Sequence, residues 1–353
     1  MYTSIRPGKV WYDTEGKRIQ AHGGSILYAG GTFYWYGENK EGITGTAMGS
    51  RCKAWHHGVR CYSSEDLYNW KDEGLIVPES DDENNPFHPE NIMDRPHILF
   101  NERTGKFVLW AKTTQKGCGF GTAKFSICLG DSLHSLKFVG MTETAPHYGG
   151  DFDLFKIGDK AYAVFEHPHS EMILRELNED YTAFAETWSS HIPLESPPFV
   201  REAPAYFERG GRRFILTSGT TGYYPNPTIA YDITDLHGEW KDLGKTCRND
   251  IGRNSFHCQF SSVFKHPHVP DLYIAIGDRW LTDLTEDLPD MEEVFFDKYS
   301  PRGKKEFDWR KVSTFSDENT SEANYVWLPI SFDENGDPYI EWRRVWKIEE
   351  FMK

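Results

Sequence analysis

Polar residues open a strand-like run at five places along the chain: Gln20 with His22 in QAHGGSILY, Asp94 in DRPHILF, Asp151 in DFDLFKI, Glu202 in EAPAYFE and Gln259 in QFSSVFK. Gln20, Asp94, Asp151, Glu202 and Gln259 stand 74, 57, 51 and 57 residues apart. If the runs are repeats about an axis, three carboxylates with amide and imidazole groups share one pocket. Such a cluster is costly to bury unless it binds or protonates something. The chemistry to expect is therefore proton transfer or recognition of a polar ligand.

The elements that would position these groups are hairpin repeats. The spacing predicts a propeller, in which the first strand of every blade lines the central axis and the axial ends meet at one face. GGSILYAGGTFYWYGE alternates small, apolar and aromatic residues around an Ala-Gly-Gly turn, a hairpin signal, and GVRCYSSEDLYNWKDEGLIV follows with an outer pair. PHILFNERTGKFVLWAKT with KFSICLGDSLHSLKFVG repeats that order, as do DLFKIGDKAYAVFEH with EMILRELNEDYTAFAE and AYFERGGRRFILTSG with TIAYDITDLHGEWKDLG. The fifth unit, SSVFKHPHVPDLYIAIGDRW, is interrupted from about Leu281 to Asn324 and resumes as YVWLPISFDENGDPYIEWRRVW. No segment carries a long apolar stripe at helical spacing, so the expected class is all-β, a five-bladed β-propeller. Residues 1–353 are expected to form one domain, because blades bury their own interfaces and need no oversized core. Ring closure should pair a terminal strand, RPGKVWYD or YIEWRRVW, with the partner repeat, since an open edge is sticky. Two insertions, Lys40 to Gly58 and Glu79 to Asn91, are expected at the pocket rim as substrate-shaping or plain solvated loops.

Composition narrows the partner. A formal net charge of −15 repels phosphate backbones and anionic lipid surfaces, so neither nucleic acid nor a membrane is expected, whereas a neutral polyhydroxylated ligand is indifferent to that field. The 12 Trp, 18 Tyr and 23 Phe include residues in regions read as loops, where flat rings can stack on sugar surfaces, although packing between blades accounts for most of them. The N-terminus, MYTSIRPGKVWYDTEG, has no basic stretch leading into an apolar run, which reads as cytoplasmic; a chain trimmed of its signal would look the same. Six cysteines without a CxxC pair are expected as reduced, partly buried thiols. The histidine runs His56–His57, His167 with His169 and His266 with His268 lack matching partners at ligand spacing, so no metal site is assigned.

AHGGSILYAGGTFYWYGE, DRPHILFNERTGKFVLW, REAPAYFERGGRRFILTSGTTGYYPNP and NYVWLPISFDENGDPYIEW, taken together, resemble glycoside hydrolase family 43, most closely its branch of exo-β-1,3-galactanases. The likeness spans nearly the whole chain. It implies a five-bladed β-propeller with an axial pocket that cleaves glycosidic bonds with inversion. That chemistry needs an acid to protonate the departing oxygen and a group opposite it to align water. Glu202 matches the family's general acid, and Asp151 matches the aspartate that keeps the acid protonated, with Asp153 its local rival two residues on. Most members carry an aspartate base on the first strand of the first blade, where this chain has Gln20, Ala21 and His22. The galactanase branch shares that gap. There the resemblance implies that Gln259 positions the water, as an amide or its imidic acid tautomer, and that Asp94 takes the place of an assisting glutamate, one methylene shorter.

Gln20, His22, Glu38, Thr220 and Thr221 are expected to bind hydroxyl groups, although Glu38 could instead pair with Lys40. Tyr62, Trp110, Tyr223 and Trp280 are candidate stacking platforms, and His257 could face the axis and a calcium ion, as in some relatives. No other cofactor is implied. The reading is release of galactose from β-1,3-linked galactan or galacto-oligosaccharides. The alternatives are α-L-arabinofuranosidase or β-xylosidase activity, which go with the aspartate base, and a non-catalytic sugar-binding propeller, which would not require Glu202 beside Asp151.

Overall fold

A computed structural model of the chain describes residues 1–42, 44–45, 54–193, 200–282, 284, 288–303 and 319–352. Alternating apolar residues and Gly-containing turns fold the first four repeats into four-stranded antiparallel meanders. Blade one holds β1 (His22–Ala29), β2 (Thr32–Glu38), β3 (Val59–Ser64) and β4 (Lys71–Val77). Blade two holds β5 (Ile92–Asn101), β6 (Lys106–Thr114), β7 (Lys124–Gly130) and β8 (Lys137–Thr142). Blade three holds β9 (Phe152–Ile157), β10 (Lys160–His167), β11 (Glu171–Leu177) and β12 (Phe184–His191). Blade four holds β13 (Arg201–Arg209), β14 (Arg212–Gly219), β15 (Ile229–Asp232) and β16 (Lys241–Lys245). The fifth sheet runs β17-β21-β20-β19-β18, from β17 (Cys247–Arg248), β18 (Gln259–Lys265), β19 (Tyr273–Arg279), β20 (Asn324–Phe332) and β21 (Pro338–Glu341). Each inner strand, β1, β5, β9, β13 and β18, touches the next, and β18 returns to β1. The molecule is a five-bladed β-propeller, as the spacing predicts.

Ring closure differs from the expectation. The segment YIEW stays in its own blade as β21, beside β20, and the added outer strand is β17, which pairs parallel to β21 at Cys247–Ile340. The termini bridge each other between Ile5 and Trp346, and the N-terminal segment lies on the seam of blades one and five, where the Gly8 N–H donates to Tyr325 O and Trp11 packs on Trp35 and Trp327. Packing closes the ring instead. Trp35 and Trp70 of blade one lie 4.7 and 5.9 Å, centroid to centroid, from Trp327 of blade five, edge to face and buried. Four further clusters of buried apolar residues fill the remaining seams between successive blades. The core is thus distributed over five interfaces rather than centred on the axis.

Polar groups occupy the axis because the inner strands are bulged where they begin. The register slips between His22 and Ser25, between Asp94 and His97, and between Glu202 and Ala205. In each case the residue after the first has a left-handed backbone: Gly23 at φ 60°, Arg95 at 51° and Ala203 at 49°. Bulges of this kind turn a side chain out of the alternation of its strand.

Among the described residues one α-helix interrupts the all-β pattern: α1 (Met291–Tyr299), within the insertion between β19 and β20. Asp290 caps it by accepting from the backbone N–H groups of Glu292 and Glu293, and Glu292 and Glu293 stand in the first turn, favoured by the dipole. At nine residues it is too short to announce itself by periodicity. Parts of the Lys40–Gly58 and Leu281–Asn324 insertions lie outside the described residues.

Candidate active site

A cavity of about 600 Å³ opens where the inner strands begin, lined by Glu38, Asp94, Asp151, Glu202 and Gln259 among others. Five blades therefore bring together Asp94, Asp151, Glu202 and Gln259, which are scattered over 166 positions of sequence. They are joined in a row by two cations. Lys112 Nζ lies 2.9 Å from both Asp94 and Asp151. Arg95 reaches Asp151 at 2.8 Å and donates to Gln259 Oε1 at 2.5 Å. The Gln259 amide then donates to Glu202 Oε1 at 3.0 Å and to Ser218 Oγ at 2.7 Å. Asp94 stands at one end of this row and Glu202 at the other.

The charges along the row sort the protons. Burial would raise Asp151, but Arg95 and Lys112 outweigh it and hold its carboxyl well below the usual range. Glu202 accepts from an amide, that of Gln259. Burial, then the negative charges of Asp151 and Glu166, push it well above the ordinary carboxyl value, and the more distant pull of Arg95 and Lys112 does not cancel them. Glu202 is thus the carboxyl of the row that keeps its proton to higher pH than an ordinary carboxyl. With Oε1 accepting from Gln259, that proton belongs on Oε2.

The register of the hairpins supplies partners. Asp94 faces Lys112 across β5 and β6, Glu202 faces Ser218, and Gln259 faces Asp278. Glu166 is hydrogen-bonded through its backbone N–H to Asp151 O and lines the cavity, its carboxylate accepting from the His169 N–H. Gly150, before Asp151, leaves room for it: a Cβ there would meet Glu166 Oε2 at 2.6 Å. The Gly-Gly-Asp sequence was the available signal for that close approach.

Glu38 lines the cavity and also pairs with Lys40 at 2.8 Å, while accepting the Arg95 N–H at 3.0 Å. Burial pushes its carboxyl up to about 7 against the attraction of Lys40. Thr220 lines the cavity with a buried hydroxyl that has no hydrogen-bond partner, and Tyr223 and Trp280 meet edge to face at 5.4 Å on its wall.

Other expected ligands lie elsewhere. Gln20 and His22 are absent from the lining. Gln20 donates to Ser321 O, and His22, wholly buried, contacts Asp278 at 2.8 Å and stacks on Tyr325. Their strand carries the spacing, but blade five takes up their polar atoms before the axis is reached. Thr221 is spent inside its loop, donating to Tyr224 O and accepting from Asn226. Tyr62 and Trp110 are core residues, because they sit on strands that face neighbouring blades. Asp153 points below the cavity, fixed by the Tyr206 and Leu154 N–H groups at 2.7 Å. His257 does not line the cavity, and no group of three potential metal ligands occurs among the described residues. The Glu79–Asn91 loop also stays off the lining, whereas the Lys40–Gly58 insertion contributes Trp55, which donates to Asp94 at 2.6 Å. Sequence reasoning missed Arg95, Lys112, Glu166, Trp55 and, from α1, Phe295 and Tyr299.

The family model described as glycosyl hydrolases family 43 matches residues 18–245. No curated protein sequence matches the chain. Among solved structures, the chain is similar to the GH43 β-1,3-galactosidase BT0265, with a TM-score of 0.79 and 27% identity over 99% of this chain and 65% of that one. It is similar to the GH43 β-1,3-galactosidase BT3683 with galactodeoxynojirimycin, at TM-score 0.78 and 26% identity over 98% of this chain and 100% of that one. An exo-β-1,3-galactanase from Clostridium thermocellum shares the fold, at TM-score 0.75 and 23% identity over 98% of this chain and 66% of that one. The chain thus spans slightly under two thirds of the first and third of these proteins. With its family match covering more than half of the 353 residues, the chain belongs to glycosyl hydrolases family 43.

Proposed function

We propose that the protein releases single galactose units from β-1,3-linked galactan or galacto-oligosaccharides, with inversion and with Glu202 as general acid. The observation that carries this reading is that two carboxyls of one cavity have opposite surroundings: Asp151 lies 2.8 Å from Arg95 and 2.9 Å from Lys112, which lower its pKa, whereas burial and then the charge of Asp151 raise that of Glu202. A binding module has no use for a proton donor kept neutral at this cost, whereas an acetal oxygen can leave only as it is protonated. The choice of galactose and of the β-1,3 linkage rests on likeness to BT0265 and BT3683, both named β-1,3-galactosidases.

In this reading Gln259 serves the acid. Its 3.0 Å bond to Glu202 is far shorter than the roughly 6.5–9.5 Å that separates the acid from the water-activating group of an inverting glycosidase. Asp94, at the other end of the row, is the carboxylate assigned to the water. Arg95 fixes which way the Gln259 amide points, so that Nε2 rather than Oε1 faces Glu202.

Incubation with β-1,3-, β-1,4- and β-1,6-galactobiose, followed by proton NMR, should show galactose from the β-1,3 isomer, appearing first as the α-anomer. First release of β-galactose would contradict inversion, and turnover of none of the three would contradict the substrate. For Asp94→Ala we expect kcat/KM to fall about 10²- to 10⁴-fold, with azide restoring turnover and giving α-galactosyl azide. An Asp94→Ala enzyme as fast as the unaltered one would show that another group holds the water.

A further inference from the structure

We propose that helix α1 carries the recognition surface for the sugar that leaves: Tyr299, at the solvent end of the cavity that Phe295, Tyr223 and Trp280 also line, offers the face on which the pyranose beyond the scissile bond stacks. This rests on the glycosidase reading above. The cavity has two chemically different ends. Asp94, Arg95, Lys112, Asp151 and Glu202 come from inner strands or the strand next to them, and make a charged floor. Phe295 and Tyr299 come from the insertion between β19 and β20, and Tyr299 is 49% exposed, which puts this end at solvent. For a terminal sugar whose hydroxyls are taken by the floor, the aromatic residues border a direction open to solvent for the rest of its chain. Aromatic faces suit the C–H surfaces of a pyranose and leave its hydroxyls to water.

The helix is too short to hold its place alone, since isolated helices below about 12–15 residues are marginal in water. Contacts with the described residues help to hold it. Leu288, Met291, Val294 and Phe295 form a small buried cluster against Tyr224 and Leu284. Glu292 accepts from the buried Arg201 guanidinium at 3.1 Å, while the remaining Arg201 donors go to Thr217 and Pro227. Arg201 precedes Glu202 on β13. The mouth is therefore tied to the strand that presents the acid, and Glu292 is a positioning residue for the aromatic wall.

The test compares two substrates that share a galactosyl group and differ in what leaves. β-1,3-galactobiose places a sugar at the mouth, and β-galactosyl fluoride places nothing there. Tyr299→Ala should raise KM for galactobiose about three- to tenfold with kcat within about twofold, the size expected of one lost aromatic contact, and leave kcat/KM for the fluoride within about twofold. Tyr299→Phe should restore the galactobiose KM. Glu292→Gln should show the same split between substrates as Tyr299→Ala, because it releases the helix without touching the sugar. Equal losses on both substrates, or no change on either, would overturn the inference while the unaltered enzyme's turnover keeps the glycosidase reading. Failure of the unaltered enzyme on both substrates would overturn that reading and this inference with it.

Discussion

A carboxyl group acts as acid or as counter-charge according to its neighbours, and Glu202 and Asp151 differ in that respect alone. Arg95 and Lys112 grip Asp151, whereas Glu202 is hydrogen-bonded by the Gln259 amide. The sign of the coupling gives a prediction. The Asp151 charge raises Glu202, and the acid works only while protonated, so activity is lost as pH rises through the Glu202 pKa. Asp151→Asn should therefore move the alkaline limb of the kcat/KM profile to lower pH, the more so because it removes the negative charge that Arg95 and Lys112 share. A limb that stays in place or moves upward would show that Asp151 does not tune the acid. At this scale the sequence was legible where a residue type recurs at repeat spacing, as for Asp94, Asp151, Glu202 and Gln259. It was not legible for Arg95 and Lys112, which read as ordinary strand residues until the hairpin brings Lys112 opposite Asp94. Gln20 and His22 carry the same spacing signal, and only the neighbouring blade reveals that Ser321 and Asp278 have already taken their polar atoms.

At the scale of the strand, the recurring device is a bulge that swings one polar residue toward the axis. Its backbone needs a left-handed residue, and in blade one that residue is Gly23, where a Cβ would come within 2.4 Å of Glu38 Oε1. Gly23→Ala should cost about 1–2 kcal/mol for the left-handed backbone, before any displacement of Glu38 is counted, and should raise KM for galactobiose. Urea denaturation measures the first effect, and an unchanged midpoint with an unchanged KM would show that the bulge is indifferent to its glycine. Hairpins and turns were readable from alternation and Gly-rich turn signals, which are local. The bulges were not, because Arg95 and Ala203 adopt the same backbone without the glycine that would mark it. Helix α1 was hidden for a related reason: nine residues with a narrow apolar face leave too little periodicity to read.

For the whole molecule, the repeat spacing carried the architecture, since five runs about 50–75 residues apart have few ways to share a core other than a ring. How the ring closes was less legible. Indole rings from blades one and five seal the seam, and the terminal strands that were expected to do so pair elsewhere or barely pair at all. Charge acts at this scale as well: a net −15 is compatible with a neutral sugar, and the two cations of the row are drawn into the cavity, where they set the proton states. The ring brings Glu202 on blade four, the proposed acid, into one cavity with charges from blades two and three. The most direct test is to compare Glu202→Gln with the unaltered enzyme on β-1,3-galactobiose, whose leaving oxygen needs a proton, and on β-galactosyl fluoride, whose leaving group needs little help. The account predicts a loss of about 10²- to 10⁴-fold on the disaccharide and a far smaller loss on the fluoride. Undiminished turnover of the disaccharide by Glu202→Gln would contradict it.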